Sequence, residues 1–229
     1  MKIKYLEVAI INKIKKFVIS LAKDLIWALF VFFLIVKPFL LERSKIPTPS
    51  MEDTLLVGDY VIVDKFTYGG KIPLTNIRVP GFKTVERGDI VVFWDPEKSL
   101  PDLWDKISFW KKADSKRLVK RCIGVGGDKI KIIDKQLYIN GKLQDEDYIK
   151  HIDSNVYPKI FSSRDNYGPV TVPENHYFMM GDNRDNSKDS RFIGFVPKEY
   201  VLGSPLIIDV SYDPVNNEIR FNRFFKYLK

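Results

Sequence analysis

Cysteine and histidine are scarce in this sequence, and each scarcity excludes some chemistry. Cys122 is the only cysteine, so no disulfide can form within the chain, and we expect a small buried side chain there. Of the two histidines, His151 lies among polar residues and His176 directly precedes a predicted strand. We therefore predict that neither histidine is the base of a serine protease.

Net positive charge is also small outside the N-terminus. The formal net charge is +8, but residues 1–45 carry nine basic and three acidic side chains, whereas the other 184 residues carry 28 and 26. The excess therefore belongs to the N-terminal segment. That distribution is typical of a membrane orientation signal and argues against a nucleic-acid-binding face.

Only one long stretch is apolar. Residues 17–41 would extend about 37 Å as a helix, which is enough to cross a bilayer. We predict a basic cytoplasmic or interfacial segment over residues 1–16 and a single transmembrane helix over 17–41. Five lysines against one glutamate in residues 1–16 place the N-terminus in the cytoplasm and residues 42–229 on the outer, periplasmic side of the cell (inner) membrane. A cleaved signal peptide is the alternative, but Leu41-Glu42-Arg43 is a poor cleavage site.

The rest of the chain has the pattern of short strands. Segments rich in β-branched and aromatic residues are bounded by Gly, Pro, Asn or Asp at 60–66, 89–94, 118–124, 128–133, 136–139, 170–172, 177–180 and 206–210. Asn140-Gly141 predicts a hairpin turn. We predict an antiparallel β domain, with surface loops or an inserted subdomain at 95–117 and 142–169. Residues 103–112 are the one possible helix, and the tail 221–228 either packs as a last strand or touches the membrane.

The stretch Ile46-Pro47-Thr48-Pro49-Ser50-Met51 follows the apolar run closely. Ser50 lies nine residues after Leu41, which reach at most about 30 Å when extended. If the apolar run spans a bilayer, this serine stays near the membrane surface.

Lys120 lies within the predicted strand 118–124, on one face with Leu118 and Cys122. An apolar setting would lower the pKa of the lysine and make it a usable base. The alternative turns Lys120 outward and Arg121 inward, and these residues taken alone favour that alternative.

Residues 180–191 form a third stretch, rich in charged residues of both signs. A calcium loop is excluded because Arg184 occupies a ligand position and Ile193 stands where a bidentate glutamate is required. A structural ion-pair loop remains an open interpretation. We expect no metal and no cofactor.

Together these stretches resemble the type I signal peptidase family, membrane-bound serine proteases that remove signal peptides from exported proteins. The resemblance extends from the apolar run to about Pro197. Its motifs, in order, are Pro47-Thr48-Pro49-Ser50-Met51 with Thr54-Leu55, Gly58-Asp59-Tyr60-Val61, Arg87-Gly88-Asp89-Ile90-Val91, Lys120-Arg121-Cys122-Ile123-Gly124 with Gly127-Asp128, and residues 181–191.

The resemblance implies a catalytic role for residues of the first two stretches. Ser50 would be the nucleophile and Lys120 the general base. The Ser50 backbone N–H and the Thr48 hydroxyl would form the oxyanion hole, and Met51 would line the substrate pocket. Thr48 stands where the family more commonly has serine, a departure that keeps the hydroxyl and adds a β-methyl group.

The resemblance also implies supporting roles in the third stretch. Ser187 would orient Lys120, and Asp189 would pair with Arg191 to hold the loop. Asp182 would pair with Arg121. The implied fold is mainly β: an antiparallel catalytic core over residues 42–229 with a smaller, variable β subdomain inserted at about 129–172. Implied substrates are signal peptides of secretory preproteins with small side chains at the residue before the cut and the third before it. The other implied partner is the lipid bilayer.

Two other functions fit part of the sequence. A membrane-tethered, non-catalytic β domain that binds peptides or an envelope partner explains the anchor and strands but leaves Ser50, Lys120 and Ser187 without a purpose. A self-cleaving Ser-Lys regulator of the repressor type would need a DNA-binding or regulatory N-terminal domain, and an apolar segment is there instead.

Overall fold

The computed structural model describes residues 2–32, 41–69, 80–98 and 116–228. It begins with helix α1 (Lys2–Val31), whose apolar side chains from Ile10 onward include the exposed Phe17 and Trp27. Among the described residues, no helix meets the length and hydropathy needed to cross a membrane. The predicted span 17–41 runs into residues 33–40, which lie outside the described part. Its last residue was wrongly placed, because Leu41 begins a strand and pairs with Asp64.

In the described part of the chain, the main sheet contains eight strands. They are β1 (Leu41–Lys45), β2 (Asp59–Asp64), β3 (Ile90–Trp94), β4 (Arg117–Val125), β9 (His176–Met180), β10 (Val196–Pro197), β11 (Val201–Asp213) and β12 (Glu218–Ile219). They follow the order β1-β2-β11-β3-β4-β9-β10, with β12 paired to β11, and every pair is antiparallel. The predicted mainly β, antiparallel fold is confirmed.

A second sheet of four strands lies between β4 and β9 in sequence. It comprises β5 (Lys129–Ile133), β6 (Gln136–Ile139), β7 (Lys142–Leu143) and β8 (Tyr167–Thr171), in the order β7-β6-β5-β8. Asn140 and Gly141 connect β6 to β7 with φ angles of 52° and 81°, as the hairpin prediction requires. The sheet occupies the sequence range in which an inserted subdomain was expected. Residues 99–115, and with them the possible helix at 103–112, lie outside the described residues.

All eight predicted strands are present, but the pattern missed others. The predicted strand at 206–210 is the middle of the 13-residue β11. Strand β1 was missed because its sequence, Leu-Glu-Arg-Ser-Lys, lacks the apolar alternation of a half-buried strand. It is extended because its backbone pairs with β2 over five residues.

Apolar packing occurs on both sides of β3 and β4. Alternate β3 residues enter two clusters of buried side chains: Val92 packs with Met51 and Leu55, and Val91 packs with Cys122. A third cluster joins β4 to the second sheet. Five consecutive residues of β4, 120–124, are therefore buried. This answers the question left open for Lys120 and Arg121, because neither faces solvent.

The C-terminal tail packs along β11. The Phe225 N–H donates to Ile208 O at 2.7 Å, and the Leu228 N–H donates to Leu206 O at 2.8 Å. Leu228 is buried beside Met51 and Leu55 in the first cluster. Residues 221–228 were expected either to pack as a last strand or to touch the membrane. In the structure they pack along β11 in the manner of a strand.

Candidate active site

Ser50 lies in a single 3₁₀ turn, Pro49–Met51, that follows β1. Pro49 suits the first helical position because its ring sets φ and the missing N–H is not needed there. Met51 anchors the turn, since its side chain is buried in the core. Ser50 itself is 7% exposed, so its hydroxyl lies at the boundary between core and surface.

The structure brings Lys120 to Ser50 across 70 positions of sequence. The Lys120 Nζ donates to Ser50 Oγ at 2.6 Å, and Lys120 is 3% exposed. Burial in the sheet lowers the pKa of the Lys120 amine to about 8, although the negative charge of Asp189 acts in the opposite direction. The nearby positive charge of Lys116 also lowers this pKa. A substantial fraction of the amine is therefore neutral near pH 8.

Thr48 lies on the open side of the same turn. Its Oγ1 is 3.4 Å from Ser50 Oγ, and the residue is exposed. The hydroxyl predicted for an oxyanion hole is therefore adjacent to the Ser50 hydroxyl.

Asp189 and Arg191 form the predicted ion pair. Two hydrogen bonds join them, Nε to Oδ1 at 2.9 Å and Nη2 to Oδ2 at 2.8 Å, and both residues are buried. Burial raises the pKa of the Asp189 carboxyl, but the charge and hydrogen bonds of Arg191, the Gly181 N–H and the charge of Lys120 together outweigh burial, and the pKa is lowered. Asp189 also caps helix α2 (Ser190–Ile193) and accepts from the Gly181 N–H at 3.1 Å. The Arg191 guanidinium donates to the carbonyls of Arg164 and Arg184 at 2.7 Å each.

Ser187 does not make the predicted hydrogen bond to Lys120. Its Oγ is buried and has no hydrogen-bond partner among the described residues. Instead it packs against Gly181, where a Cβ would lie 2.3 Å from Ser187 Oγ and 2.4 Å from the Ser50 carbonyl oxygen. Gly181 thus fits between the two serines because it lacks a side chain.

Asp182 and Arg121 are joined by two hydrogen bonds of 2.9 and 2.8 Å, as predicted. The Thr54 hydroxyl donates to the same carboxylate at 2.6 Å. Arg121 also donates to Gly88 O at 2.8 Å, and its guanidinium lies 3.9 Å from the centroid of the Tyr148 ring. Because Arg121 follows Lys120 on β4, this pair ties the strand that carries Lys120 to the segment after Ser50.

Asn183 supports the 3₁₀ turn Pro49–Met51, which we call the serine turn, although the sequence analysis assigned Asn183 no role. Its N–H donates to Ser50 O at 3.1 Å, and its Nδ2 donates to Pro49 O at 3.3 Å and Glu52 Oε2 at 3.1 Å. The only signal in the sequence was its position inside the charged stretch 180–191. Its contact with Ser50 joins residues 133 positions apart, which no local pattern indicates.

Neither histidine contacts Ser50 or Lys120 among the described residues. His151 Nδ1 lies 3.2 Å from Asp185 Oδ1, and His176 Nδ1 lies 2.9 Å from Glu174 O. Within the described ranges, no group of three His, Cys, Asp or Glu side chains is placed to hold a metal ion.

A cleft of about 660 Å³ opens at Ser50 and Lys120. One wall is β1 with the following turn to Met51, and the other is residues 116–120 at the start of β4. β1 ends the strand order, and residues 117–120 of β4 pair only with β3 within the described part of the chain. A salt bridge from Glu42 on β1 to Arg117 on β4 joins the two walls. Two strand edges that have no neighbouring strand among the described residues therefore line the same cleft.

Comparison with known proteins places most of the chain in one family. The family model described as "Signal peptidase, peptidase S26" matches residues 18–208. A protein named probable signal peptidase I-2 from Synechocystis sp. is 36% identical over 172 residues, 75% of this chain and 64% of that protein. The signal peptidase I of Pseudomonas aeruginosa is 30% identical over 94% of this chain and 82% of its own length. A crystal structure of a signal peptidase I from Enterococcus faecalis V583 covers 53% of this chain and 97% of its own, with 30% sequence identity and a TM-score of 0.38.

Proposed function

Because this chain belongs to the signal peptidase family, peptidase S26, we propose that it removes signal peptides from exported preproteins by serine-protease chemistry. Ser50 is the nucleophile and Lys120 is the general base. The observation that carries the proposal is the 2.6 Å contact between a buried lysine amine and a serine hydroxyl on the wall of an open cleft.

The substrate binds as an extended strand in the cleft between β1 and β4. The backbone edges of both strands, which are unpaired within the described ranges, can hydrogen-bond to a peptide laid between them. In an extended peptide, the residue before the cut and the third residue before it point to the same side. The cleft beside Ser50 is lined by the closely packed Ile46 and Met51, which are 3% and 1% exposed, and this lining favours small side chains at those positions.

The first chemical step forms an acyl-enzyme. Neutral Lys120 accepts the proton of Ser50 Oγ as that oxygen attacks the scissile carbonyl carbon. The Ser50 N–H, which lies in the first turn of its 3₁₀ helix and has no partner inside that helix, and the Thr48 hydroxyl stabilise the resulting oxyanion. The protonated Lys120 then donates to the nitrogen of the leaving amine, the peptide bond breaks, and the mature protein leaves.

The second step releases the signal peptide. Lys120 is neutral again and accepts a proton from a water molecule that attacks the Ser50 ester. The ester bond breaks, the proton passes from Lys120 to Ser50 Oγ, and the signal peptide leaves as a carboxylic acid that loses its proton to solvent. Atoms and charge balance with one water consumed for each peptide bond cut.

The charged stretch 180–191 holds Ser50 and Lys120 at a fixed separation. Asp189 and Arg191 hold it to the Gly181 N–H, Asp182 joins it to Arg121 on β4, and Asn183 joins it to the carbonyls of the serine turn. These residues do not react. They fix the separation between Ser50 and Lys120, on which the rate depends steeply.

Cleavage of a synthetic signal peptide by the purified protein in detergent, at neutral and alkaline pH, tests this function. Ser50→Ala and Lys120→Ala should both abolish turnover while the protein remains folded, and Lys142→Ala, at an exposed lysine on β7, should not. Absence of turnover in the unaltered protein would favour the peptide-binding domain instead. Near-normal turnover in either Ser50→Ala or Lys120→Ala would exclude the assigned pair.

We further propose that α1 belongs to a membrane anchor with residues 42–229 on the outer side. Its exposed apolar side chains and the basic N-terminal segment support this placement. Removal of residues 1–40 should leave a protein that still cuts peptides but cuts membrane-held precursors less efficiently. The cut ends at residue 40 because Leu41 is already part of β1. Complete inactivity on peptides would show that the segment does more than tether.

A further inference from the structure

The C-terminal tail follows β11 and lies beyond residue 208, where the family match ends. It turns back along the strand that it has just left, and the Ile208 N–H donates to Lys226 O at 2.9 Å. Arg223 is the last residue of a short 3₁₀ helix in this tail, Phe221–Arg223, and its side chain is buried. The backbone of the tail is therefore hydrogen-bonded to β11, while the Arg223 side chain points into the protein interior.

Arg223 reaches the segment that follows the nucleophile. Its Nε donates to Asp59 Oδ1 at 3.1 Å and its Nη2 to Asp59 Oδ2 at 2.6 Å. The same Nη2 donates to Thr54 O at 3.1 Å. Asp59 is fully buried and also accepts from the Leu56 N–H and the Ser211 hydroxyl. A buried charge with this many partners fixes its surroundings, because any displacement leaves charged groups unpaired.

Thr54 is held from two sides. Arg223 binds its carbonyl, and its hydroxyl donates to Asp182, which is paired with Arg121 next to Lys120 on β4. A continuous set of hydrogen bonds thus runs from the tail, through the segment four residues after Ser50, to the strand that carries the base. Displacing Thr54 would move one reacting group relative to the other.

An apolar contact reinforces this connection. Leu228, near the end of the tail, is 8% exposed and packs in the same cluster as Met51 and Leu55, which are 1% and 0% exposed. Met51 directly follows Ser50. The tail therefore supports the serine turn by packing as well as by charge.

We propose that the C-terminal tail is a positioning element of the active site, in which Arg223 holds the segment after Ser50 in register with Lys120. This inference rests on the proposed Ser50–Lys120 mechanism. Arg223 contacts neither reacting atom, so it is a positioning residue. A misplacement of about 1 Å at a distance from the chemistry costs roughly 100-fold in rate, so a contact of this kind has a measurable effect.

The test compares Arg223→Ala and Arg223→Lys with Lys226→Gln, a control at an exposed side chain of the same tail. Each full-length variant is assayed in detergent with a synthetic signal peptide. Arg223→Ala should lower kcat roughly 10- to 100-fold and change KM less than about twofold, because the cleft walls on β1 and β4 are untouched. Millimolar guanidinium ion should restore part of that kcat by occupying the vacated site. Arg223→Lys should give an intermediate kcat, and Lys226→Gln should match the unaltered protein.

Thermal melts at the assay pH give the folded fraction of each variant. If the loss of rate equals the loss of folded protein and guanidinium has no effect on kcat, the tail only stabilises the fold and the inference is wrong. Should Arg223→Ala fail to fold, Arg223→Lys decides, and an unchanged kcat in it overturns the inference. Ser50→Ala and Lys120→Ala are run in parallel. Activity in either of these two variants refutes the proposed Ser50–Lys120 pair. If both are inactive and Arg223→Ala is fully active, only the role of the tail is refuted.

Discussion

Raising the pH from 7 to 9 should increase the fraction of Lys120, the proposed base, that carries a neutral amine. Burial lowers the pKa of Lys120 to about 8, so the neutral amine makes up about 9% of molecules at pH 7 and about 91% at pH 9. Because only the neutral amine accepts the Ser50 proton, kcat/KM should rise roughly tenfold over this interval and approach a plateau. A lysine with an ordinary pKa of about 10.4 would give roughly a 100-fold rise with no plateau below pH 10.

The assay is the hydrolysis of a signal peptide whose residues near the cut do not titrate between pH 6 and 10, at constant ionic strength in detergent. Lys116→Gln adds a directional test, because its positive charge lowers the pKa of Lys120. Removing that charge should move the rise in kcat/KM to higher pH. Lys142→Gln, on the exposed strand β7, should leave the profile in place. A rate that is flat from pH 7 to 9, or a shift to lower pH in Lys116→Gln, would refute the assignment of Lys120 as a buried base.

Three other changes follow from the same geometry. Lys120→Met should abolish cleavage yet raise the free energy of unfolding at pH 7 by about 2 kcal/mol, because about 3 kcal/mol of amine desolvation disappears and about 1 kcal/mol of hydrogen bond to Ser50 is lost. The pKa of Lys120 is lower in the folded than in the unfolded protein, so the unaltered protein should gain stability as the pH rises from about 8 to 10.4, and the variant should not. Urea unfolding at pH 7 and at pH 10 measures both effects. A variant less stable than the unaltered protein at pH 7 would contradict the claim that the Lys120 amine is desolvated. Thr48→Val should lower kcat roughly 100-fold if its hydroxyl binds the oxyanion, whereas an unchanged kcat would mean that the Ser50 N–H suffices. Gly181→Ala should lower kcat by a similar factor, because the new Cβ would lie 2.4 Å from the Ser50 carbonyl oxygen and push the serine turn away from Lys120; unaltered kinetics would show that the turn yields without effect.

Local patterns predicted most strands and the turn between β6 and β7. Alternating β-branched residues and the Asn140-Gly141 pair act over a few positions, so a sequence window contains the relevant information. They failed where a strand forms by pairing alone. Strand β1 carries charged residues and becomes extended only because β2 lies beside it.

The contacts expected among the proposed site residues form only in part. Ser50, Lys120 and Thr48 lie together, and the Asp189–Arg191 and Asp182–Arg121 pairs are formed. Ser187 was expected to hydrogen-bond to Lys120, but it packs against Gly181 instead. Asn183 and Arg223 had no assigned role, since their partners lie more than 130 positions away in the sequence.

The sequence by itself determined the chain's local chemistry: an apolar N-terminal run, a succession of strands, and a serine and a lysine in recognisable motifs. Only the tertiary structure decided that these two side chains meet, and that the lysine is buried. Considered alone, the strand 118–124 favoured an outward Lys120. The pKa of an amine depends on how much water and charge surround it, and packing on both sides of β4 removes the water from residues 120–124. That environment is assembled from distant segments, so no window of sequence around Lys120 contains it.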